Sequence, residues 1–258
     1  MDLTGRSAIV TGGAGGLGAA TVRHLVSLGV HCVIFDWNGD GAKALAAELG
    51  DGNAVGVGGD TTVDDDAMAA IESAQGLGTY SILVNVAGGG KPGSGRTLSR
   101  DGVPHSMEAF TGTMAMNAFG TFNMTRLSAA AFSKNEPDED GQRGVVVNTG
   151  SIAGLEGQSG QVAYGAAKAA ILGMTLPLAR DLAAVGVRVN AIAPGTMGTP
   201  IMLSVNDKLK ESLVSNIIFP KRMGKPDEFA LLVESMIRNP YLNGENIRLD
   251  GALRFPPK

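Results

Sequence analysis

Tyr164 and Lys168 stand four residues apart in the run Gln161-Val162-Ala163-Tyr164-Gly165-Ala166-Ala167-Lys168. On a helix that spacing puts both side chains on one face. A phenol ionises near pH 10 or so in its ordinary state, and a cation one turn away favours the phenolate. Such a pair can pass a proton to or from an alcohol oxygen near neutral pH. Ser151 follows the β-type run Gly144–Gly150. A strand's carboxyl end, where open α/β sheets bind ligands, would present its hydroxyl to the same oxygen. Alone, a Tyr and a Lys at this spacing fit an ordinary helix start better than a site. The surrounding elements reverse that balance.

The first of these is a βαβ unit. Ser7–Thr11 reads as a strand, Gly12-Gly13-Ala14-Gly15-Gly16-Leu17-Gly18 as a glycine turn, and the next stretch as a helix with Val22, Leu25 and Leu28 apolar. His31–Asp36 is a second strand ending in an acid. Gly12, Gly16 and Gly18 permit a tight turn and close approach of a pyrophosphate, which a helix N-terminus attracts. A glycine turn without a ligand is the plain alternative, but strand, helix and acid all stand where a dinucleotide needs them. Asp36 can accept a hydrogen bond from a ribose 2′-hydroxyl and repels a 2′-phosphate. Neither the turn nor Trp37 offers a cation, so NAD is expected over NADP. Asp36 could also cap the helix expected near 41–49.

Val55–Thr61 reads as a third strand and its exit. Asp60 there either meets the adenine or caps a helix starting near Asp64. Tyr80–Asn85 is a fourth strand, and the small residues Val86-Ala87-Gly88-Gly89-Gly90 after it leave room for a cofactor. Lys91–Pro104 is a polar loop placed as a substrate lip, whose basic Lys91, Arg96 and Arg100 could equally be plain solvated residues. Glu108–Phe132 predicts one long helix with Asn117 inside it. Asn is mildly unfavourable there, which points to a hydrogen-bonding task. Ser133–Arg143 reads as a charged surface insertion. The helix over 161–183 carries Tyr164 and Lys168, and its Pro177 predicts a local irregularity. Val187–Ala193 and Gly244–Gly251 supply two further strands. The connection 196–225, with weak helical signal around Asp207–Ile217, suits a substrate lid or a plain surface helix pair. The alternating pattern predicts one domain over 1–258, an α/β doubly wound parallel sheet of about seven strands with helices on both faces.

Composition excludes several other classes. Hydrophobic residues make up 44% and charged residues 18% of the 258, an ordinary globular balance. A net charge of −4 gives no whole-chain attraction to nucleic acid, so no nucleic-acid partner is expected. Cys32, the one cysteine, cannot form an intrachain disulfide and reads as a small core residue. His24, His31 and His105 lack metal-ligand spacing, and no metal is expected. No run approaches the roughly 18 apolar residues of a membrane span. The polar start Met1–Arg6 lacks a signal-peptide or transit pattern. A cytoplasmic protein without a membrane partner is the expectation.

Taken together, Thr11-Gly12-x-x-x-Gly16-x-Gly18, Asn85-Val86-Ala87-Gly88, Asn117, Ser151, Tyr164-x-x-x-Lys168 and Pro194-Gly195 resemble the short-chain dehydrogenase/reductase family over nearly the whole chain. The departure is Val86, where the family often has a second Asn; the small Ala-Gly step after it is kept. Asn135-Glu136-Pro137, Gly141-Gln142-Arg143-Gly144, Gly173-Met174-Thr175-Leu176-Pro177 and Asn243-Gly244-Glu245-x-Ile247-Arg248-Leu249-Asp250-Gly251-Ala252 look like the type-2 3-hydroxyacyl-CoA dehydrogenases within it. That subgroup also holds enzymes acting on hydroxysteroids. The resemblance implies NAD-dependent interconversion of a secondary alcohol and a ketone, such as (S)-3-hydroxyacyl-CoA and 3-oxoacyl-CoA. It implies that Tyr164 is the proton-transferring residue, that Lys168 lowers its pKa and binds the nicotinamide ribose, that Ser151 holds the substrate oxygen, and that Asn117 supports a proton-relaying water. It further implies cofactor contacts at Gly15, Leu17, Asp36, Asp60, Thr61, Val86, Met197 and Thr199, and a homotetramer. Gln158 and Gln161 flank the expected pocket mouth, as substrate contacts or as helix caps. Two rivals stand beside this reading: a hydroxysteroid or simple secondary-alcohol dehydrogenase, and a non-catalytic NAD-binding interaction protein. An intact Asn117, Ser151, Tyr164 and Lys168 speaks against the last.

Overall fold

The computed structural model describes residues 1–90 and 95–257. The expectation for Lys91 in the substrate lip therefore lies outside the described residues. In chain order the first half runs β1 (Arg6–Thr11), α1 (Gly16–Ser27), β2 (His31–Asp36), α2 (Gly39–Leu49), β3 (Ala54–Gly58), α3 (Asp64–Leu77) and β4 (Thr79–Asn85). The second half runs α4 (Met107–Met114), a π-helical turn (Ala115–Phe119), α5 (Gly120–Phe132), β5 (Gly144–Thr149), α6 (Val162–Leu182), β6 (Val187–Pro194), α7 (Pro200–Leu203), α8 (Asp207–Ser215), α9 (Pro226–Arg238) and β7 (Asn246–Leu249).

All seven strands are parallel and form one sheet in the order β3-β2-β1-β4-β5-β6-β7. The chain reverses its direction of winding between β1 and β4, so a crevice opens beyond their carboxyl ends. The central strands are buried on both faces. Hence they read as unbroken apolar runs rather than alternating ones. Val22 and Leu25 of α1 meet Phe229 and Val233 of α9 on one face, over Val10, Ile34 and Val84. Ile71 of α3, Met124 and Phe132 of α5 and Leu178 of α6 cover the other, over Ile9, Leu83 and Val146.

The fold departs from several sequence expectations. The long helix over 108–132 is present but broken in hydrogen-bond pattern by the π turn that holds Asn117. Pro177 sits inside a continuous α6 without breaking it. Its ring faces solvent, and the residue one turn earlier is Gly173, where even an added side chain would meet nothing. α9 was not foreseen, although Pro226, Asp227 and Glu228 mark its start. Arg188 of β6 fixes its far end, donating to the carbonyls of Met236 (2.8 Å), Ile237 (2.7 Å) and Leu242 (2.8 Å). By length and composition, Val162–Val185 is apolar enough to cross a membrane, a property the search for unbroken apolar runs passed over. In the fold α6 lies against the sheet through Ile171, Leu178 and Ala179.

Candidate active site

The carboxyl ends of the central strands carry a row of polar side chains in register: Thr11 opposite Asn85, and Asn85 opposite Asn148. Asn85 Nδ2 donates to Asn148 Oδ1 at 2.9 Å. Thr11 Oγ1 accepts from the backbone N–H groups of Val86 and Ala87, both at 3.1 Å. This clamps the small-residue segment after β4 against the glycine turn. A side chain at Gly12 would lie 2.8 Å from the Ala87 backbone, and one at Gly18 would strike the Gly12 carbonyl. The glycines there are thus demanded by backbone packing as well as by any ligand. Thr11 stood in the glycine motif, but Asn148 and Thr149 carried no role in the sequence reading. Their signal was a polar residue ending an otherwise apolar strand.

Ser151 follows β5 in extended conformation, and its Oγ accepts from Ala153 N at 3.1 Å to cap a short 3-10 turn, Ile152–Gly154. Its side chain stands beside the Tyr164 phenol and favours the phenolate. One turn along α6, Lys168 is 3% exposed. Its Nζ donates to the Thr149 carbonyl at 2.8 Å and lies 5.8 Å from the Tyr164 ring centroid. Burial pushes the Lys168 ammonium down to about 8. Burial also pushes the Tyr164 phenol up, and the Ser151 hydroxyl offsets part of that rise. The simple expectation that Lys168 pulls the phenol down is outweighed here by desolvation of the phenol.

Asn117 has the hydrogen-bonding task its position suggested. Its Oδ1 accepts from Gly89 N (3.1 Å), and its Nδ2 donates to Gly89 O (2.8 Å) and Thr113 O (2.8 Å). The π turn supplies the extra residue that swings this side chain inward. Gly88 is wedged between Asn117 and Lys168: a side chain there would meet Asn117 Oδ1 and stand 3.2 Å from Lys168 Nζ.

On the other side of the crevice, Asp36 Oδ2 accepts from Ala14 N (3.0 Å) and Oδ1 from Asn38 N (2.9 Å). Asn38, not Asp36, caps α2. Asp60 does not cap α3 either; its carboxylate closes a turn by accepting from Thr62 N and Oγ1, each at 2.8 Å. The Thr61 carbonyl accepts from Asn123 (3.0 Å), and its side chain lies against Gly120 at the end of the π turn. Thr199 caps α7 and, with Pro200, packs against Gly16, while Met197 beside it is buried. Gln158 and Gln161 bind loop and tail: Gln158 N donates to Gln161 Oε1 (3.0 Å) and Gln158 Nε2 to Pro256 O (3.2 Å). They line an open cleft with Thr97 and the Gly165, Ala166 and Ala169 face of α6; Ser151, Tyr164 and Lys168 are not in its wall. Among the described residues no group of three or more His, Cys, Asp or Glu side chains could hold a metal ion.

A crevice at the sheet's switch point, a glycine turn opening a helix and a Ser–Tyr–Lys cluster beside them make a site for dinucleotide-assisted proton transfer. A family profile described as short chain dehydrogenase matches residues 6–210. The chain belongs to the short chain dehydrogenase family. The 3-hydroxyacyl-CoA dehydrogenase type-2 of Homo sapiens is 46% identical over 257 residues, 99% of this chain and 98% of that one. Its Bos taurus counterpart is 44% identical over the same span and shares. The crystal structure of 3-hydroxyacyl-CoA dehydrogenase type-2 from Mycobacterium avium superposes with a TM-score of 0.95 at 51% identity, covering 98% of both chains.

This short chain dehydrogenase is therefore an oxidoreductase that works with a nicotinamide cofactor. Its residues fit that group. The N-terminus of α1 has no side-chain cap, which leaves the first-turn N–H groups directed at the crevice for a pyrophosphate. Asp36, although engaged twice, keeps lone pairs for a ribose hydroxyl.

Proposed function

We propose that the enzyme interconverts (S)-3-hydroxyacyl-CoA and 3-oxoacyl-CoA with NAD as the cofactor. The observation that carries the chemistry is the Ser151 hydroxyl beside the Tyr164 phenol, with buried Lys168 one turn away. Near-full-length similarity to 3-hydroxyacyl-CoA dehydrogenases supports the substrate class. A bound nicotinamide ring supplies the hydride acceptor or donor. Tyr164 gives a proton to the ketone oxygen in reduction and takes it back in oxidation, and Ser151 Oγ holds that oxygen. Lys168, largely protonated at neutral pH with its pKa near 8, presents a cation to the phenol and to a ribose hydroxyl. Asn117 holds Gly89 through two hydrogen bonds and so fixes the small-residue segment that would border the cofactor. Asp36 supports NAD over NADP, since a buried carboxylate repels a 2′-phosphate. Gly12, Gly15, Gly16, Leu17 and Gly18 cradle the pyrophosphate; Val86, Met197 and Thr199 border the nicotinamide half, and Asp60 and Thr61 the adenine. We assign the enzyme to the cytoplasm as a homotetramer.

NADH consumption with acetoacetyl-CoA, beside acetoacetate and a ketosteroid at matched concentrations, tests the substrate. Fast turnover of the thioester alone is expected, lost in Tyr164→Phe while NADH binding persists. Turnover of the steroid instead would move the assignment to a hydroxysteroid, and NADH binding with no turnover at all would revive a non-catalytic role. Binding is readable directly, because the one tryptophan, Trp37, follows Asp36 at the adenosine edge and is 80% exposed.

A further inference from the structure

The segment Arg248-Leu249-Asp250-Gly251-Ala252-Leu253 has no part in the chemistry just assigned, yet it joins two walls of the substrate side. We infer that this turn and the tail behind it are a positioning device that sets the lid over residues 196–225 relative to the loop after Ser151, and thereby tunes entry of the acyl chain. The inference rests on the substrate reading above for its kinetic consequence, and on geometry alone for the coupling.

Gly251 and Ala252 take consecutive left-handed conformations, with φ of 58° and 62°. Ala252 is the one non-glycine residue with positive φ among the described residues. Such strain persists only where the surroundings over-determine it. Asp250 holds the turn from within: its Oδ1 accepts from Ala252 N and its carbonyl from Leu253 N, both at 3.0 Å.

From this turn, contacts reach both walls. Gly251 O accepts from Ile218 N (3.1 Å) and Phe219 N (3.2 Å) at the base of the lid. Leu253 is buried between Ile217 of the lid and Ile152, the neighbour of Ser151, with Val214 of α8 and Phe255 packed on them. On the loop side Glu156 Oε1 accepts from Arg248 Nη2 (2.7 Å) and Phe255 N (3.2 Å). Arg248 Nε donates to Asp250 Oδ2 at 2.6 Å, and its Nη2 also to Leu253 O at 2.8 Å. Ser159 N donates to Pro257 O at 3.2 Å.

The two ends of the lid are tied to the body by buried Met197, by Thr199 and Pro200 against Gly16, and by Arg222 donating to Glu228. Between 198 and 225 Ile217 is the one buried apolar side chain. A cavity of about 250 Å³ lies between the returning segment of the lid, at Pro220, Arg222 and Gly224, and Leu249, Asp250 and Gly251. Leu253 is therefore shared by the apolar anchor of the lid's outer part and by the Ser151 loop, so displacing one wall must be felt by the other.

Hydrogen–deuterium exchange and kinetics on Glu156→Ala, Glu156→Gln and Leu253→Ala test this. Glu156→Ala alters only the loop wall, yet exchange should rise in 207–218 of the lid as well as in 154–161, with α1 unchanged. The KM for the ketone substrate should rise about tenfold, more for long acyl chains than short ones, with kcat within about twofold and NADH affinity, read from Trp37, unchanged. Glu156→Gln keeps an acceptor for Phe255 N and should recover most of the loss. Exchange that rises only in 154–161 would overturn the coupling, and so would an unchanged KM or a parallel loss of NADH affinity. If wild type fails to reduce any acyl thioester, the substrate reading falls while the exchange result still decides the coupling.

Discussion

Lys168 is a charge held where water cannot reach it, with a single carbonyl for a partner. Its folded pKa of about 8 lies below the ordinary 10.5, so between those values the unfolded chain binds more protons than the folded one. Stability must therefore rise with pH across that window, and the cost of the buried ammonium is present in full below it. Relative to Lys168→Met, wild type should gain about 2 to 3 kcal/mol between pH 8 and pH 10. Urea unfolding of both proteins at each pH measures the gap; a gap that stays constant would show the lysine titrating as in water. Asp36 makes the complementary case, a carboxylate whose charge matters more than its hydrogen bonds. Asp36→Asn keeps an acceptor for Ala14 N and removes the charge facing a 2′-phosphate. The preference for NADH over NADPH should shrink by about tenfold or more, the equivalent of some 1.4 kcal/mol. Competitive quenching of Trp37 by the two cofactors reads this ratio. An unaltered ratio would place the discrimination elsewhere.

The π turn shows what an element adds that its residues do not announce. Helical periodicity over 108–132 was legible, and so was the oddity of a buried polar Asn117. The extra residue per turn was not, because nothing in a periodicity distinguishes five residues wound slightly wider until their contacts to Gly89 and Thr113 are known. The same holds for α9, whose start signals were readable but whose end depends on Arg188 reaching across from β6. In contrast, the strands and the glycine turn were legible to within a residue or two, since burial on both faces and backbone contact each leave a compositional trace. The π turn's consequence falls on Gly88, caught between Asn117 and Lys168. Gly88→Ala should therefore lower kcat by about 100-fold, the scale of a misplacement of roughly 1 Å at reacting groups. The melting temperature should fall too, because the collision is with two buried side chains at a glycine of φ 156°, so rates are compared well below the melt. Steady-state rates alongside a thermal melt separate these effects; near-wild-type kcat would mean the segment after β4 can shift freely.

At the scale of the whole molecule the sheet is covered on both faces, yet the outer side of the helical layer is not finished. Along the helix that passes through the π turn, Phe119 is 56% and Phe122 45% exposed, one turn apart on the same side. Two exposed phenylalanines one turn apart are an apolar patch of the kind that protein interfaces bury. This patch supports the homotetramer proposed above, with α5 of one subunit against its copy in another. It also gives the assembly a link to the chemistry, because Phe119 closes the π turn that holds Asn117. Phe122 lies beyond the turn and touches no proposed site residue by hydrogen bond, so it is the position to change. Phe122→Glu would place two like charges in a shared interface, where an unpaired buried charge costs several kcal/mol. Sedimentation velocity at micromolar protein should show a tetramer for wild type and a smaller species for the variant, with NADH still bound by each subunit. A variant that sediments as wild type would remove α5 from the interface and leave Phe122 as an ordinary exposed apolar residue.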